Sequence, residues 1–558
     1  MNGYLPFRIA ALDMVNPVTN FDTMRLRECR NAFINDILKD VPLDMIKFIV
    51  EPYNLHVAIN GATCVSYVDR MKVSTSAGNP WKCKKEKFLP LLNDGTDDRY
   101  CVDEIKERVD NIIENYKQGV RAHPVFCAHL KDEPVTFKKA KIGKTRVFTG
   151  APMDWSIVNR MYFLSLIRLI QNNKFAFETA VGTVAQSMEW FDVLNYLMRD
   201  LNCTNGVWTS SHRKEYVENG LMARFIAGDY KSFDKSMSPI FILEAFEILI
   251  HIAILSCNYT SDDVACMRGI AYDTAFPTVD FNGDLVQFYG SNPSGHPLTV
   301  IINSLVNSLY ARYAYIGLNP KKEVKSFRKH IRMITYGDDN AGTSLVNWYN
   351  HSAVSEELAK IGVVYTMADK EAESVPFINM KDVSFLKRKW IWNAELNSYM
   401  APLEHDSIEK MLVTWTRSKI AEEAQVLDIV ESAVGEYFFY GKRIFKEKSL
   451  MLRNILESMG YQTLIKNCTF PTWNQMKNRY KKCTERAGII CEEYEFSDED
   501  GEIDVDIEDY VIIAPTQSAF FQENVDTSSC LFVNCLDNTH ITYYMPMYLF
   551  TIEYILYR

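Results

Sequence analysis

A mixed fold of the α+β or α/β class is what this sequence predicts, on three observations. Strand-like and helix-like apolar runs interleave along the chain instead of segregating. Residues 326–346, SFRKHIRMITYGDDNAGTSLV, read as strand, turn and second apolar run. From about 385 to 490 the apolar spacing is mostly three and four, as at Ile408, Met411, Leu412 and Trp415. At 558 residues and 47% hydrophobic, the chain can bury a large core in one multi-part domain or several domains. No internal repeat and no Pro/Gly/Ser-rich linker divides it before its tail.

Taken in order, the N-terminal stretch MNGYLPFRIAALDMVNP carries Arg8 and Asp13 within its apolar run and is not a signal peptide. Residues 120–150 are dense in Lys and Arg, including Arg121, Lys131, Lys138, Lys139, Lys141, Lys144 and Arg146. GKT at 143–145 is not a P-loop, because the first glycine of that pattern would fall on Lys138. HPVFCAH, 123–129, lacks a second pair at zinc-ligand spacing. In RFIAGDYKSFDKSMSP, 224–239, Phe225, Ala227 and Asp229 alternate as in a strand that ends near Asp229. A turn over Lys231 to Ser236 follows, then Pro239 opens a helix. That helix, FILEAFEILIHIAIL, contains Glu244, Glu247 and His251 and is short for a bilayer, so it reads as a buried helix and not a membrane span.

In GSNPSGHPLTVIINSLVNSLYARYAY, 290–315, Ser294-Gly295 reads as a flexible loop and Pro297 as part of a first helical turn. Helix capping accounts for Ser294. Thr299, Asn303 and Asn307 share one helix face, and polar groups on an otherwise apolar helix are costly unless they bind something. Further on, Ile331, Met333 and Thr335 alternate with Arg332, Ile334 and Tyr336. Gly337-Asp338-Asp339-Asn340 then supplies turn chemistry, and Ser344 begins the second apolar run.

The formal charge of −10 is unevenly placed. Residues 491–509 carry eleven acids and no Lys or Arg, and 510–558 add a net −3, so 1–490 are mildly basic at +4. The acidic run is expected to be disordered, and the apolar, aromatic end of the chain has no evident role. Thirteen scattered cysteines with no CxxC pair fit reduced thiols in a cytosolic setting.

The adjacent Asp338 and Asp339 repel each other. Either they sit on an ordinary acidic hairpin tip, or they hold a divalent cation together with acids from elsewhere. Asp229, at a strand end, is the other source; Asp234 lies past the turn, near the same place, where it also reads as a helix-start residue.

DYKSFD, then SGHPLTVIIN, then YGDD, in that order and at those separations, resemble motifs A, B and C of a viral RNA-dependent RNA polymerase, most closely those of picornavirus-like positive-strand viruses. TSAGNPW (75–81) resembles motif G and KDEPVTFKKAKIGKTR (131–146) motif F. GVVYTMADK (362–370) resembles motif D, VSFLKRKW (383–390) motif E, and APLEHDSIEKMLVTW (401–415) the start of the thumb. The likeness covers roughly residues 60–480 and does not extend to the tail, 491–558.

The resemblance implies an α+β right-hand polymerase: fingers at 1–222 and 255–290, an antiparallel palm at 223–254 and 291–384, a mostly helical thumb at 385–490. It implies template-directed transfer of NTPs to an RNA 3′-hydroxyl with two Mg²⁺ ions (Mn²⁺ as substitute), about 3.5–4 Å apart in such sites. Asp229 and Asp338 would be the principal metal ligands, with Asp339 assisting. Lys131, Lys144 and Arg146 would take the triphosphate, with Lys141 nearby. Asp234, Thr299 and Asn303 would read the ribose 2′-hydroxyl, and Ser294 and Gly295 would form the mobile loop that follows translocation. Lys370 matches the lysine given the role of general acid toward pyrophosphate. Thr75, Ser76, Lys387 and Arg388, with Phe385 and Leu386, would contact or support RNA. Implied partners are template and primer RNA, NTPs, a genome-linked protein primer and other viral replication proteins. The expected setting is the host cytoplasm, at membrane-associated replication complexes, after release from a polyprotein. Two rivals remain: a catalytically inactive polymerase-like RNA-binding scaffold, and a reverse transcriptase.

Overall fold

The described residues form ten strands with helices between them. The computed structural model describes residues 5–92, 95–198, 223–368, 372–415, 418–465 and 469–492, with backbone alone for 486–492. They fall into two compact units, whose described residues are 5–182 with 223–379, and 183–198 with 380–492. The acidic run from 493 and the apolar end of the tail lie outside the described residues.

The first unit holds two four-stranded sheets. One uses β1 (Val125–Leu130), β2 (Val147–Gly150), β4 (Thr278–Phe281) and β5 (Asp284–Gln287), in the order β2-β1-β4-β5. The other uses β3 (Phe225–Tyr230), β6 (Ile331–Tyr336), β7 (Asp339–Ser344) and β8 (Tyr365–Met367), in the order β6-β7-β3-β8, antiparallel throughout. β3 and β6 match the expected strands. The turn does not: Tyr336 pairs with Asp339 and Thr335 with Asn340, so only Gly337 and Asp338 form the tip. Gly337 alone has a positive φ, 64°, as the first central residue of a II′-type turn requires. The second strand therefore begins at Asp339 and not at Ser344. Its residues DNAGTS are small and polar, a composition that masks a strand buried from Asn340 to Ser344.

The helix Pro239–Ser256 starts at the expected proline, with the Ser238 hydroxyl accepting from the Ile240 N–H. By length and composition it could cross a membrane, with mean hydropathy 1.9, but 61% of it is buried inside the fold. Its Glu244 accepts from Arg30 at 2.6 Å. The helix Thr299–Leu318 runs against it and against β6. Pro297 precedes this helix by two residues instead of opening it. On its buried side Arg312 donates to both Glu178 oxygens (2.7 and 2.8 Å) and to Asp36 (3.1 Å). Arg328 joins the same carboxylates.

The second unit contains the hairpin β9 (Ile391–Asn393) and β10 (Ser398–Met400) and the helices His405–Val413, Glu422–Tyr437, Lys442–Ser458 and Trp473–Glu492. Ile408, Leu412, Val434, Phe438, Leu456 and Trp473 are part of one core. Residues 183–198 pack in this unit. Trp190 and Trp390 stack at 4.9 Å between centroids, and Trp390 Nε1 donates to the Trp190 carbonyl.

Candidate active site

Local strand chemistry brings the expected acids to one end of the antiparallel sheet. β3 pairs with β7 so that Gly228 faces Asn340, which sets Asp229, one residue on, beside Asp339. On the other side of β3, Asp229 pairs with Thr366 of β8. Asp338 occupies the tip of the β6–β7 turn. The Asp229 carboxylate accepts from the Tyr230 N–H at 2.6 Å, which orients it at its own strand end. Carboxylates on adjacent strands oppose each other, so this placement costs stability unless a cation offsets it. All-oxygen donors suit a hard divalent ion. Among the described residues no group of three or more His, Cys, Asp or Glu side chains is placed to hold a metal ion as it stands.

The acidic turn is held from below. Asn307 donates both amide hydrogens to it, to the carbonyls of Gly337 (3.0 Å) and Asp338 (3.1 Å), and accepts from the Tyr230 hydroxyl at 3.1 Å. Ser304 Oγ accepts from the Gly337 N–H at 2.9 Å. Tyr365 donates to Asn340 at 2.8 Å, and its hydroxyl is held well above the usual tyrosine range by burial first, with Asp339 and Asp229 adding to it. The sequence marked Asn307 as an unexplained polar residue on a helix face; Ser304, Tyr230 and Tyr365 carried no signal.

The basic segment 131–146 is a hairpin extension. β1 and β2 pair Leu130 with Val147, and one step further the Lys131 N–H donates to the Arg146 carbonyl at 2.8 Å. A short helix, Phe137–Lys141, capped by Thr136, carries the intervening basic residues, and Lys144 is exposed. Burial pushes the Lys131 ammonium down and Arg146 adds to that, while the carboxylates of Glu133, Asp234 and Asp338 pull it back up. Lys131 thus lies within electrostatic reach of both Asp234 and Asp338. Arg146 is 69% exposed, with Glu133 at 3.6 Å, a pair worth about 0–1 kcal/mol and easily exchanged. Asp234 is half-buried in the first turn of the short helix Phe233–Ser236.

Ser294 does not cap a helix. Its hydroxyl accepts from the Thr149 N–H (3.2 Å), and its own N–H donates to the Thr149 hydroxyl (3.1 Å). Gly295 lies so close to β2 that a Cβ would meet the Thr149 carbonyl at 2.6 Å. The loop preceding Thr299–Leu318 is therefore stitched to the strand that follows the basic segment. Thr299 spends its hydroxyl on this loop, at Pro293 and His296. Asn303 accepts from Asn292 at 2.8 Å. The sequence reading passed over Asn292 and His296.

Of the remaining candidates, Thr75 accepts from Lys85 Nζ at 2.6 Å and Ser76 from the Gly78 N–H, within a tight loop. Phe385 and Arg388 bond to each other's backbone around Leu386 and Lys387, both at positive φ, a two-residue reversal of the I′ kind. Lys387 is exposed at this tip. Arg388 is buried instead: its guanidinium forks onto Glu436 at 2.8 Å twice and donates to the Ala401 carbonyl. A charge so engaged cannot also meet a nucleic-acid backbone, and its part is to hold the strained turn. Lys370 lies outside the described residues.

Known proteins point the same way. The family model described as viral RNA-dependent RNA polymerase matches residues 14–454. The replicase polyprotein of cricket paralysis virus is 28% identical over 376 residues, 65% of this chain and 20% of that protein. That of acute bee paralysis virus is 29% identical over 431 residues, 74% of this chain and 21% of that protein. The RNA1 polyprotein of Andean potato mottle virus is 25% identical over 533 residues, 88% of this chain and 65% of that one. The chain thus spans about a fifth of the first two relatives. In structure, the Sicinivirus 3Dpol RNA-dependent RNA polymerase aligns with a TM-score of 0.62 at 16% identity, over 82% of this chain and 85% of that one, a likeness of right-hand fold. With its α+β fold and a family match over most of its length, the chain belongs to the viral RNA-dependent RNA polymerases of picorna-like viruses.

Proposed function

We propose that the chain performs template-directed RNA synthesis, adding NTPs to an RNA 3′-hydroxyl with release of pyrophosphate. The supporting observation is the register that sets Asp229 beside Asp339 and puts Asp338 at the adjoining turn, with the charges of Asp338 and Asp234 felt at the Lys131 ammonium. Two Mg²⁺ ions held by Asp229 and Asp338, assisted by Asp339 and replaceable by Mn²⁺, would acidify the attacking hydroxyl and neutralise the leaving pyrophosphate.

The chain's own groups do the rest. Lys131, Lys144 and Arg146 receive the triphosphate, Arg146 by exchanging Glu133 for phosphate oxygens. Asn303 and Asp234 take the ribose, with Thr299 shaping the loop beneath it. Ser294, through its bonds to Thr149, and Gly295, whose carbonyl accepts from the Ala151 N–H, follow the template. Lys370 gives a proton to the leaving group. Thr75, Ser76 and Lys387 contact RNA backbone, and Arg388 supports Lys387 from within. We assign fingers to 1–222 and 255–290, palm to 223–254 and 291–384, and thumb to 385–490. RNA, NTPs, a genome-linked protein primer and other viral replication proteins are the partners, and membrane-associated replication complexes in the host cytoplasm the setting, after release from a polyprotein.

Primer extension on an RNA template tests this. Ribonucleotide addition that requires Mg²⁺ and disappears in Asp338→Ala is the expected result. Deoxyribonucleotide addition would favour a reverse transcriptase, no product a scaffold, and normal product from Asp338→Ala would remove the site assignment.

A further inference from the structure

Two buried residues next to Asn303, neither of them given a role above, form a hydrogen-bond chain with a defined direction. His296 is 7% exposed and Asn292 2%. The Leu298 N–H donates to His296 Nδ1 at 3.3 Å, so that nitrogen is an acceptor and the ring hydrogen sits on Nε2. Nε2 then donates to Asn292 Oδ1 at 2.9 Å. Asn292 Nδ2 donates to the Thr299 carbonyl at 3.3 Å, a group that can only accept, which independently fixes which end of the amide is nitrogen. The same Nδ2 donates to Asn303 Oδ1 at 2.8 Å. A backbone N–H at one end and a backbone carbonyl along the way leave no freedom to reverse the chain. Asn303 must keep its oxygen toward Asn292, and its Nδ2 is left with no partner among the described residues.

We propose that His296 and Asn292 are positioning residues for sugar selection, a relay that holds the Asn303 amide with its nitrogen end presented to the nucleotide. This rests on the reading of Asn303 and Asp234 as ribose contacts. A 2′-hydroxyl has one hydrogen to give and lone pairs to receive. Asp234, as a carboxylate, only accepts. A matched site therefore needs one donor, and the relay makes Asn303 that donor. Were the Asn303 amide reversed, both neighbours would accept, the hydroxyl could satisfy only one, and the advantage over a 2′-deoxy sugar would shrink. Burial pushes His296 down to about 3, so its ring keeps the neutral form that the relay needs across the neutral range. Its edge-to-face packing on Trp155, 6.0 Å between centroids, fixes the ring plane.

Single-nucleotide incorporation by the full chain tests the relay through kcat/KM for ribo-, 2′-deoxy- and 3′-deoxynucleotides. His296→Phe removes the donor at similar ring volume; Asn292→Asp keeps shape and loses the N–H that faces Asn303. Either is expected to lower the ribo over 2′-deoxy ratio about 10- to 100-fold, mostly as a higher KM for ribonucleotide, with the ribo over 3′-deoxy ratio unchanged. His296→Gln, which offers an N–H near Nε2, is expected to keep the 2′ ratio. Thermal unfolding of each variant shows whether it is folded, and Asn292→Asp decides where His296→Phe is not. Asn303→Leu is the reference. If it leaves the 2′ ratio unchanged, the ribose reading itself fails. If it lowers the ratio while folded His296→Phe and Asn292→Asp do not, the relay is overturned and the ribose reading stands.

Discussion

Asn307 shows how one side chain sets the acidic turn. Its two amide hydrogens hold the carbonyls of Gly337 and Asp338, and its oxygen is itself held by Tyr230. Asn307→Leu keeps volume but removes both donors from buried carbonyls, at a cost of about 1–3 kcal/mol. The expected outcome is a fall in kcat of about 10- to 100-fold, since the turn is positioned less well, with primer-template affinity unchanged. Single-turnover extension beside an RNA-binding titration checks it. At this scale the sequence was partly legible. Polar residues on an apolar helix face announced that Asn303 and Asn307 bind something, but their partners, Asn292 in a loop and the turn at 337–338, are side-chain matters that spacing does not encode. Arg388 illustrates the converse: its charge suggested RNA, and only the facing Glu436 shows that it is spent internally.

At the scale of the element, β3 and the β6–β7 hairpin form one device. Gly228 is opposite Asn340, and a Cβ on it would lie 2.2 Å from the Tyr365 ring. Gly228→Ala therefore has to displace Tyr365, whose hydroxyl holds Asn340 next to Asp339. A loss of about 1–3 kcal/mol, typical of overpacking, is expected in denaturant unfolding, together with loss of extension activity. The alternation in 331–336 was readable because its apolar period is two. The strand DNAGTS was not, because its residues are small and polar and look like a loop, although it lies buried between β6 and β3.

Across the whole molecule, residues far apart in the chain meet in one buried ion cluster of Asp36, Glu178, Arg312 and Arg328. Burial would push the Glu178 carboxyl up, but Arg312 and Arg328 outweigh it and hold it down at about 2. The folded chain therefore resists a proton that the unfolded chain takes at its ordinary value of 4.5. The stabilisation is complete above that pH and is lost as pH falls through the window from 4.5 toward about 2. Glu178→Gln leaves Arg312 without its main partner and is expected to cost about 3–5 kcal/mol at neutral pH. It should also flatten the acid limb of the stability curve, as unfolding at stepped pH would show. Nothing in the sequence paired these four residues, since ion pairing at separations beyond a hundred residues leaves no local pattern.

By itself the sequence determined the chemistry: which strands end in acids, which segment is basic, and in what order the polymerase-like motifs run, because these depend on residue type and short-range period. Only the tertiary structure decided which neighbours those groups have. It set the start of β7, turned Arg388 inward, tied Ser294 to Thr149 and linked His296 through Asn292 to Asn303. The physical reason is that a buried polar group takes its meaning from the partner that satisfies it, and such partners come together only when distant parts of the chain fold against each other.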